Sequence, residues 1–133
     1  LFKVGTVIRI FAEEARPNPK VKYVIIVGSS SDSVGFIFIN SEVNPNHLNS
    51  ANLQALHYPI VHTECPYLDE DESYADCSEI FERPKSDLNT LLQKEPGRIQ
   101  KPPLTAERIE SILDIIRRAK TIPPADKKKF GII

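Results

Sequence analysis

Residues 22–40 read Lys22-Tyr23-Val24-Ile25-Ile26-Val27-Gly28, then Ser29 to Ser33, then Val34-Gly35-Phe36-Ile37-Phe38-Ile39-Asn40. Two apolar runs, rich in β-branched and aromatic residues, flank a short tract of Ser and Asp. Each run has strand length and is too short for an ordinary helix, and the tract between them is turn chemistry. The pair reads as an antiparallel hairpin. Neither run alternates cleanly between apolar and polar, so both faces are expected to be covered, as in the central strands of a small closed sheet.

Outward from the hairpin, Val4 to Phe11 places Val4, Thr6, Ile8 and Ile10 on one face of a further strand, with Gly5 allowing a bend or a close backbone approach. Glu13 to Lys20 holds two prolines and reads as the loop between these strands. Beyond the hairpin, Asn44-Pro45-Asn46 makes a turn and Ser50 to Leu56 a helical turn. Leu56 to His62 then reads as a short strand, which Pro59 confines to a sheet edge. Cys65 to Glu82 supplies one or two more short strands around the acidic turn Asp69-Glu70-Asp71-Glu72.

The C-terminal part is helical. Ser86 to Lys94 reads as a short helix with Ser86 as its N-cap and Leu88, Leu91 and Leu92 on one face. Pro96-Gly97 stops it, and Arg98-Ile99-Gln100 reads as a strand. The clearest helix spans Leu104 to Ala119, capped by Thr105. Ile109, Ile112, Leu113 and Ile116 fall at i, i+3, i+4 and i+7, a single buried stripe. Leu104 and Ile109 are placed to form a hydrophobic staple. Glu107 and Glu110 near the start and Arg117, Arg118 and Lys120 near the end suit the helix dipole. Pro123-Pro124 opens a short basic tail, Lys127 to Ile133.

The 133 residues, 41% of them hydrophobic, suit one domain with a real core. Net charge is −1 and the pI about 6.3, so no global field points to nucleic acid or membrane. The balance is uneven: residues 64–82 hold eight acidic and no basic residues, whereas twelve Lys or Arg face six Asp or Glu from Arg83 onward. Solvated surface of two signs accounts for that. No secretory signal and no run of 18 apolar residues appears, so a soluble, cytoplasmic protein is expected. The chain opens on Leu1 rather than Met, which leaves room for residues upstream. Cys65 and Cys77 lack metal-type spacing and are expected to be reduced thiols.

There is no phosphate-binding Gly loop, no HExxH and no GxSxG. His47, His57 and His62 are spread over loops and an edge strand and read as polar surface or rim residues rather than zinc ligands. The acidic turn lacks the Gly and the ligand spacing of a calcium loop and reads as solvated. Arg16, Lys20 and Lys22 lie where the chain enters the central hairpin, and Ser41 lies just past its second strand. In a small barrel these ends meet at one groove, where cations and a hydroxyl can hold a phosphate and stabilise charge developing on it. Taken alone, Arg and Lys in a loop are ordinary surface.

In layout the chain resembles the PemK/MazF family of bacterial toxins. The resemblance runs over about residues 4–82: the opening Gly5-Thr6-Val7-Ile8-Arg9-Ile10 strand, the Pro-containing loop, Lys22 to Gly28, the strand ending Asn40-Ser41, and Asp71-Glu72-Ser73-Tyr74-Ala75-Asp76-Cys77. The closing portion from Leu104 to Ile133, with its Lys129-Phe130-Gly131, is similar to C-terminal extensions of divergent members. The resemblance implies a small SH3-like antiparallel barrel, α+β but mainly β, with C-terminal helices packed on it. It would form one domain over 1–133, with the barrel over 4–82 and the helical extension over 86–133. It also implies a metal-independent endoribonuclease acting on single-stranded RNA, with a cognate antitoxin and a second copy of the chain as partners.

In the family an Arg opening the second strand and a Thr just after the third carry catalysis. Here the Arg-Pro position reads Lys22-Tyr23, and the Thr position falls at or beside Ser41. Lys keeps the charge but loses the two-pronged donor geometry, and Ser keeps the hydroxyl. Arg16 is the candidate for the missing guanidinium. The resemblance thus implies Arg16, Lys22 and Ser41 as catalytic residues and Lys20 and Tyr23 as substrate-binding ones, with no cofactor, no metal and no membrane partner. The alternative is a non-catalytic barrel module that binds a nucleic-acid strand or a protein partner, or a structural domain of a larger complex.

Overall fold

The computed structural model describes residues 2–133. In chain order the strands are β1 (Val7–Ala12), β2 (Lys20–Ser29), β3 (Ser33–Asn40), β4 (His57–Val61), β5 (Glu72–Asp76), β6 (Phe81–Pro84) and β7 (Ile99–Gln100). The helices are α1 (Ala51–Gln54), α2 (Lys85–Lys94), α3 (Ala106–Arg118) and α4 (Pro124–Lys129). The expected hairpin is β2–β3, in antiparallel register from Tyr23↔Ile39 to Ser29↔Val34. The seven strands form one antiparallel sheet, ordered β4-β5-β3-β2-β1-β7, with β6 beside the first half of β3. Among the described residues no helix is long and apolar enough to cross a membrane.

Both faces of the hairpin are covered. On one, Val7, Ile25, Val27, Ile37 and Ile39 pack with Ile112 and Ile116 of α3 and with Phe130 and Ile132 beyond α4. On the other, Ile8, Ile10, Val24, Ile26, Phe36 and Phe38 pack with Leu88 and Leu92 of α2. The sheet is therefore the middle of three layers, which explains why its central strands read as unbroken apolar runs. One irregularity shapes it: Ile26 pairs Phe36 and Gly28 pairs Gly35, leaving Val27 as a bulge. Strict alternation would turn Gly28 toward α2, but the extra residue turns it to the face of Gly35. Phe130 then seats against both glycines. The basic tail is thus a folded part of the core.

The stripe of α3 behaves as its period requires. Ile112 and Ile116 are buried, Ile109 and Leu113 pack at their flanks, and Thr105 Oγ1 accepts the N–H of Arg108. Gly5 has φ +94° and passes close against Ile109, so the opening strand begins later than expected, at Val7. The N-cap of α2 also differs. Because β6 runs into the helix, Pro84 occupies the cap position and Ser86 sits exposed in the first turn, while Lys85 N–H donates to Asp32 O at 2.8 Å.

Among the described residues the sheet stays open, with β4 and β7 at its ends. Closure would need those edges to pair, but β7 has two residues and β4 contains Pro59. Beyond the Val7 and Ile8 pairing with β7, the outer edge of β1 is covered by side chains. Arg98 Nη1 donates to Arg9 O at 3.0 Å and Arg83 Nη2 to Phe11 O at 2.9 Å, blunting an edge that would otherwise invite another strand.

Candidate functional site

Lys22 is the half-buried of the two lysines near the start of β2, and the positions that follow it build the core. Alternation puts it on the face of Val24 and Ile26, and the Tyr23↔Ile39 register sets it opposite Asn40. Its Nζ donates to Asn40 Oδ1 at 2.5 Å and lies 5.6 Å from the ring centroid of Phe38. Burial lowers its pKa from 10.5 to about 8; Lys20 adds to the fall and Asp76 opposes it. An ammonium close to its titration point at neutral pH can both hold an anion and move a proton.

The same face continues across the next two strands. β5 pairs β3 at Ile39↔Ala75, which places Asp76 beside Phe38, and β4 pairs β5 at His57↔Asp76. Directly opposed residues share a face. Lys22 opposite Asn40, and Asp76 opposite His57 one same-face step further along, therefore form a staggered polar row across four strands, about 14 Å from β2 to β4 at the usual strand spacing. Asp76 Oδ1 accepts from Ser78 N at 3.0 Å and Ser78 Oγ at 2.5 Å.

His57 and His47 end the row. His57 is 6% exposed, and its Nε2 lies 2.8 Å from Nδ1 of His47. Burial lowers the pKa of His57, with Asp76 acting against that shift and His47 with it, so the ring is neutral near pH 7. Its Nδ1 has no hydrogen-bond partner among the described residues. A buried unpaired N–H is the worse tautomer, which assigns the proton to Nε2, donating to His47. The expectation that His57 is a surface or rim residue is corrected here. The segment carrying His47 folds over the β4 edge and removes His57 from water.

The other residues singled out in the sequence fall as follows. Lys20 is exposed at the start of β2, opposite Ala12, and shares the face of Lys22. Ser41 is exposed in the bend that follows Asn40. Tyr23 points to the opposite face, where its ring centroid lies 5.9 Å from that of Tyr67. Arg16 is exposed, and its Nη1 donates to Glu14 O at 3.0 Å within its own loop. The structure thus gathers Lys20, Lys22 and the Asn40–Ser41 bend at one end of the hairpin, holds Arg16 in the loop and turns Tyr23 away.

Asn40, Asp76 and His57 were not legible as site residues because strand register brings them together, and His47 joins them only through the turn that seats it on His57. His62 is separate, its Nδ1 2.5 Å from Leu68 O. Cys65 and Cys77 are free and buried, and burial raises both thiol pKa values. The Asp69–Glu72 turn is exposed throughout. Among the described residues no three His, Cys, Asp or Glu side chains converge as a metal site requires. No protein-family model matches the chain, and no curated protein matches it.

Proposed function

We propose that the protein is a toxin-like endoribonuclease that cuts single-stranded RNA without a metal, on a divergent PemK/MazF-type fold in which the SH3-like sheet stays open. The supporting observation is Lys22: a half-buried amine with its pKa lowered to about 8, held by Asn40 at the mouth of a polar row. In this reading neutral Lys22 accepts the proton of the ribose 2′-hydroxyl as that oxygen attacks the adjacent phosphorus. The resulting ammonium stabilises the phosphorane-like transition state and returns the proton to the 5′ oxygen as the P–O5′ bond breaks. The products are a 2′,3′-cyclic phosphate and a 5′-hydroxyl. Lys20 holds a neighbouring phosphate, Ser41 positions a non-bridging oxygen, and Arg16 contacts the strand from the loop. An antitoxin would act by covering this face.

The test is incubation of the protein with mixed RNA in chelator, beside Lys22→Ala and Arg16→Ala. Cleavage is expected to fall by about 10²–10⁴-fold in Lys22→Ala, the range for loss of a general acid–base group. Cleavage surviving both substitutions places the chemistry elsewhere. Salt-sensitive RNA binding without cleavage identifies a binding module instead.

A further inference from the structure

Beside Asn40, on the face of Lys22, stands an aromatic ring that the proton transfer does not use. Tyr74 pairs directly with Asn40 across β3–β5 and with Pro59 across β4–β5, and Asn40 is itself opposite Lys22. Directly opposed residues share a face, so Lys22, Asn40, Tyr74 and Pro59 lie in line on one face of the sheet. This end of the face is open to water. Tyr74 is half-buried, Pro59 is exposed, and Val61, two residues further along β4, is 36% exposed. The ring is also held. Tyr74 Oη donates to Glu72 Oε1 at 2.7 Å, which lays the phenol along β5 and leaves less side-chain freedom to lose on binding.

The charges around the ring are sorted by strand. Lys20 and Lys22 stand on β2, two strands from Tyr74, while Asp76 follows Tyr74 by two residues on the same face of β5. Asp76 Oδ1 is occupied by Ser78 N and Ser78 Oγ, which leaves Oδ2 to accept from a ligand. Cations on one side and a carboxylate on the other match a nucleotide laid across the sheet, its phosphate over β2 and its base over β5. About 10 Å separates those strands at the usual spacing, a span that a nucleotide covers from phosphate to base. Any flat base fits an aromatic face. A carboxylate is more selective: it accepts from the exocyclic amine of cytosine and repels the carbonyl oxygen that uracil carries there.

From this alignment we infer that Tyr74 is the stacking platform for the base beside the scissile phosphate, and that Asp76 selects a base with an exocyclic amine at that position. The inference rests on the RNA-cleaving reading for the phosphate at Lys22, and deepens it by naming the substrate: a single strand with cytosine or another amino-bearing base beside the cut. Tyr74 acts on affinity, whereas Lys22 acts on the chemical step.

The probe is a short fluorescently labelled strand of deoxycytidine, which lacks the 2′-hydroxyl that cleavage needs, followed by anisotropy beside matching deoxyuridine and abasic strands. Native protein is expected to bind the deoxycytidine strand about 5–150-fold more tightly than the abasic one, the factor for about 1–3 kcal/mol per stacked base. Tyr74→Ala should remove that advantage without changing affinity for the abasic strand. Tyr74→Phe keeps the ring and should retain it. Deoxycytidine should bind about tenfold more tightly than deoxyuridine, and Asp76→Asn should bring the two together. In cleavage of RNA, Tyr74→Ala should raise KM with kcat little changed.

Equal affinity of native protein for abasic and base-bearing strands, or no measurable binding of either, overturns the proposal without recourse to a variant. So does an advantage that survives Tyr74→Ala with a native denaturation midpoint. An unchanged cytosine preference in Asp76→Asn overturns the role of Asp76. Base-dependent binding that Tyr74→Ala abolishes, in a native protein that cuts no RNA, refutes the ribonuclease reading and leaves the platform standing. Cleavage with a KM untouched by Tyr74→Ala does the reverse.

Discussion

Gly35 faces the ring of Phe130 so closely that a Cβ on Gly35 would stand 2.9 Å from the ring's Cγ. Across the hairpin a Cβ on Gly28 would overlap the Phe130 carbonyl oxygen. The bulge at Val27 is what brings both glycines to this face, so the C-terminal segment is built into the central hairpin. Gly28→Ala is expected to destabilise the fold by about 1–3 kcal/mol through overpacking. Phe130→Ala should cost about 3–5 kcal/mol through lost burial and a cavity. Urea denaturation reads both, and an unchanged midpoint in either variant would contradict this seating.

The α3 layer carries a second stability expectation. Ile112 is 1% exposed and packs in the same core as Val7, Ile25 and Ile37. Ile112→Ala should cost about 2–5 kcal/mol, and the same change at half-buried Leu113 less. Similar midpoints for the two variants would mean that the stripe is not seated as described.

The hairpin, the edge position of Pro59 and the capped α3 were legible because each is a local pattern: two runs of strand length, one ring without an N–H, one period of 3.6. The cap of α2 was misread because Ser86 looks like a cap only if the chain before it is irregular, and β6 runs straight into the helix. Whether the sheet closes depends on which strands meet across long stretches of chain, and no local pattern records that. The candidate site divides in the same way. Lys22 stands out as a charge entering an apolar run, whereas Asp76 and His57 join it only through the β3–β5 and β4–β5 registers.

The amine of Lys22 provides a direct physical test. With the folded pKa at about 8 and the ordinary lysine value at 10.5, the unfolded chain binds more protons between those pH values. Stability should therefore rise as pH climbs from 8 toward 10.5, as the cost of burying the charged form is relieved. Lys22→Met should be more stable than the native chain below pH 8, by about 1–3 kcal/mol at 1.36 kcal/mol per pKa unit with allowance for partial exposure. In an NMR titration of lysine Cε shifts, one midpoint near 8 should vanish in Lys22→Ala. All lysines titrating above pH 10 would contradict the description of the site.

His57 works in the acid range. Its folded pKa lies below the ordinary 6.5, so the unfolded chain takes up the proton first as pH falls. Stability should then drop from pH 6.5 downward until the folded ring itself is protonated. His57→Gln should lose stability overall yet flatten this part of the profile. A native profile with the same slope as the variant below pH 6.5 would place the ring in water.

The central claim is that Lys22 moves a proton between the 2′-hydroxyl and the 5′ oxygen of RNA, and analysis of product ends tests it most directly. A single-stranded RNA is incubated in chelator with native protein, beside the same strand carrying a 2′-deoxy nucleotide at the cut position. The account expects 2′,3′-cyclic phosphate and 5′-hydroxyl ends from the first and no cut at that position in the second. Cleavage of the deoxy strand, or products ending in a 5′-phosphate, would contradict it.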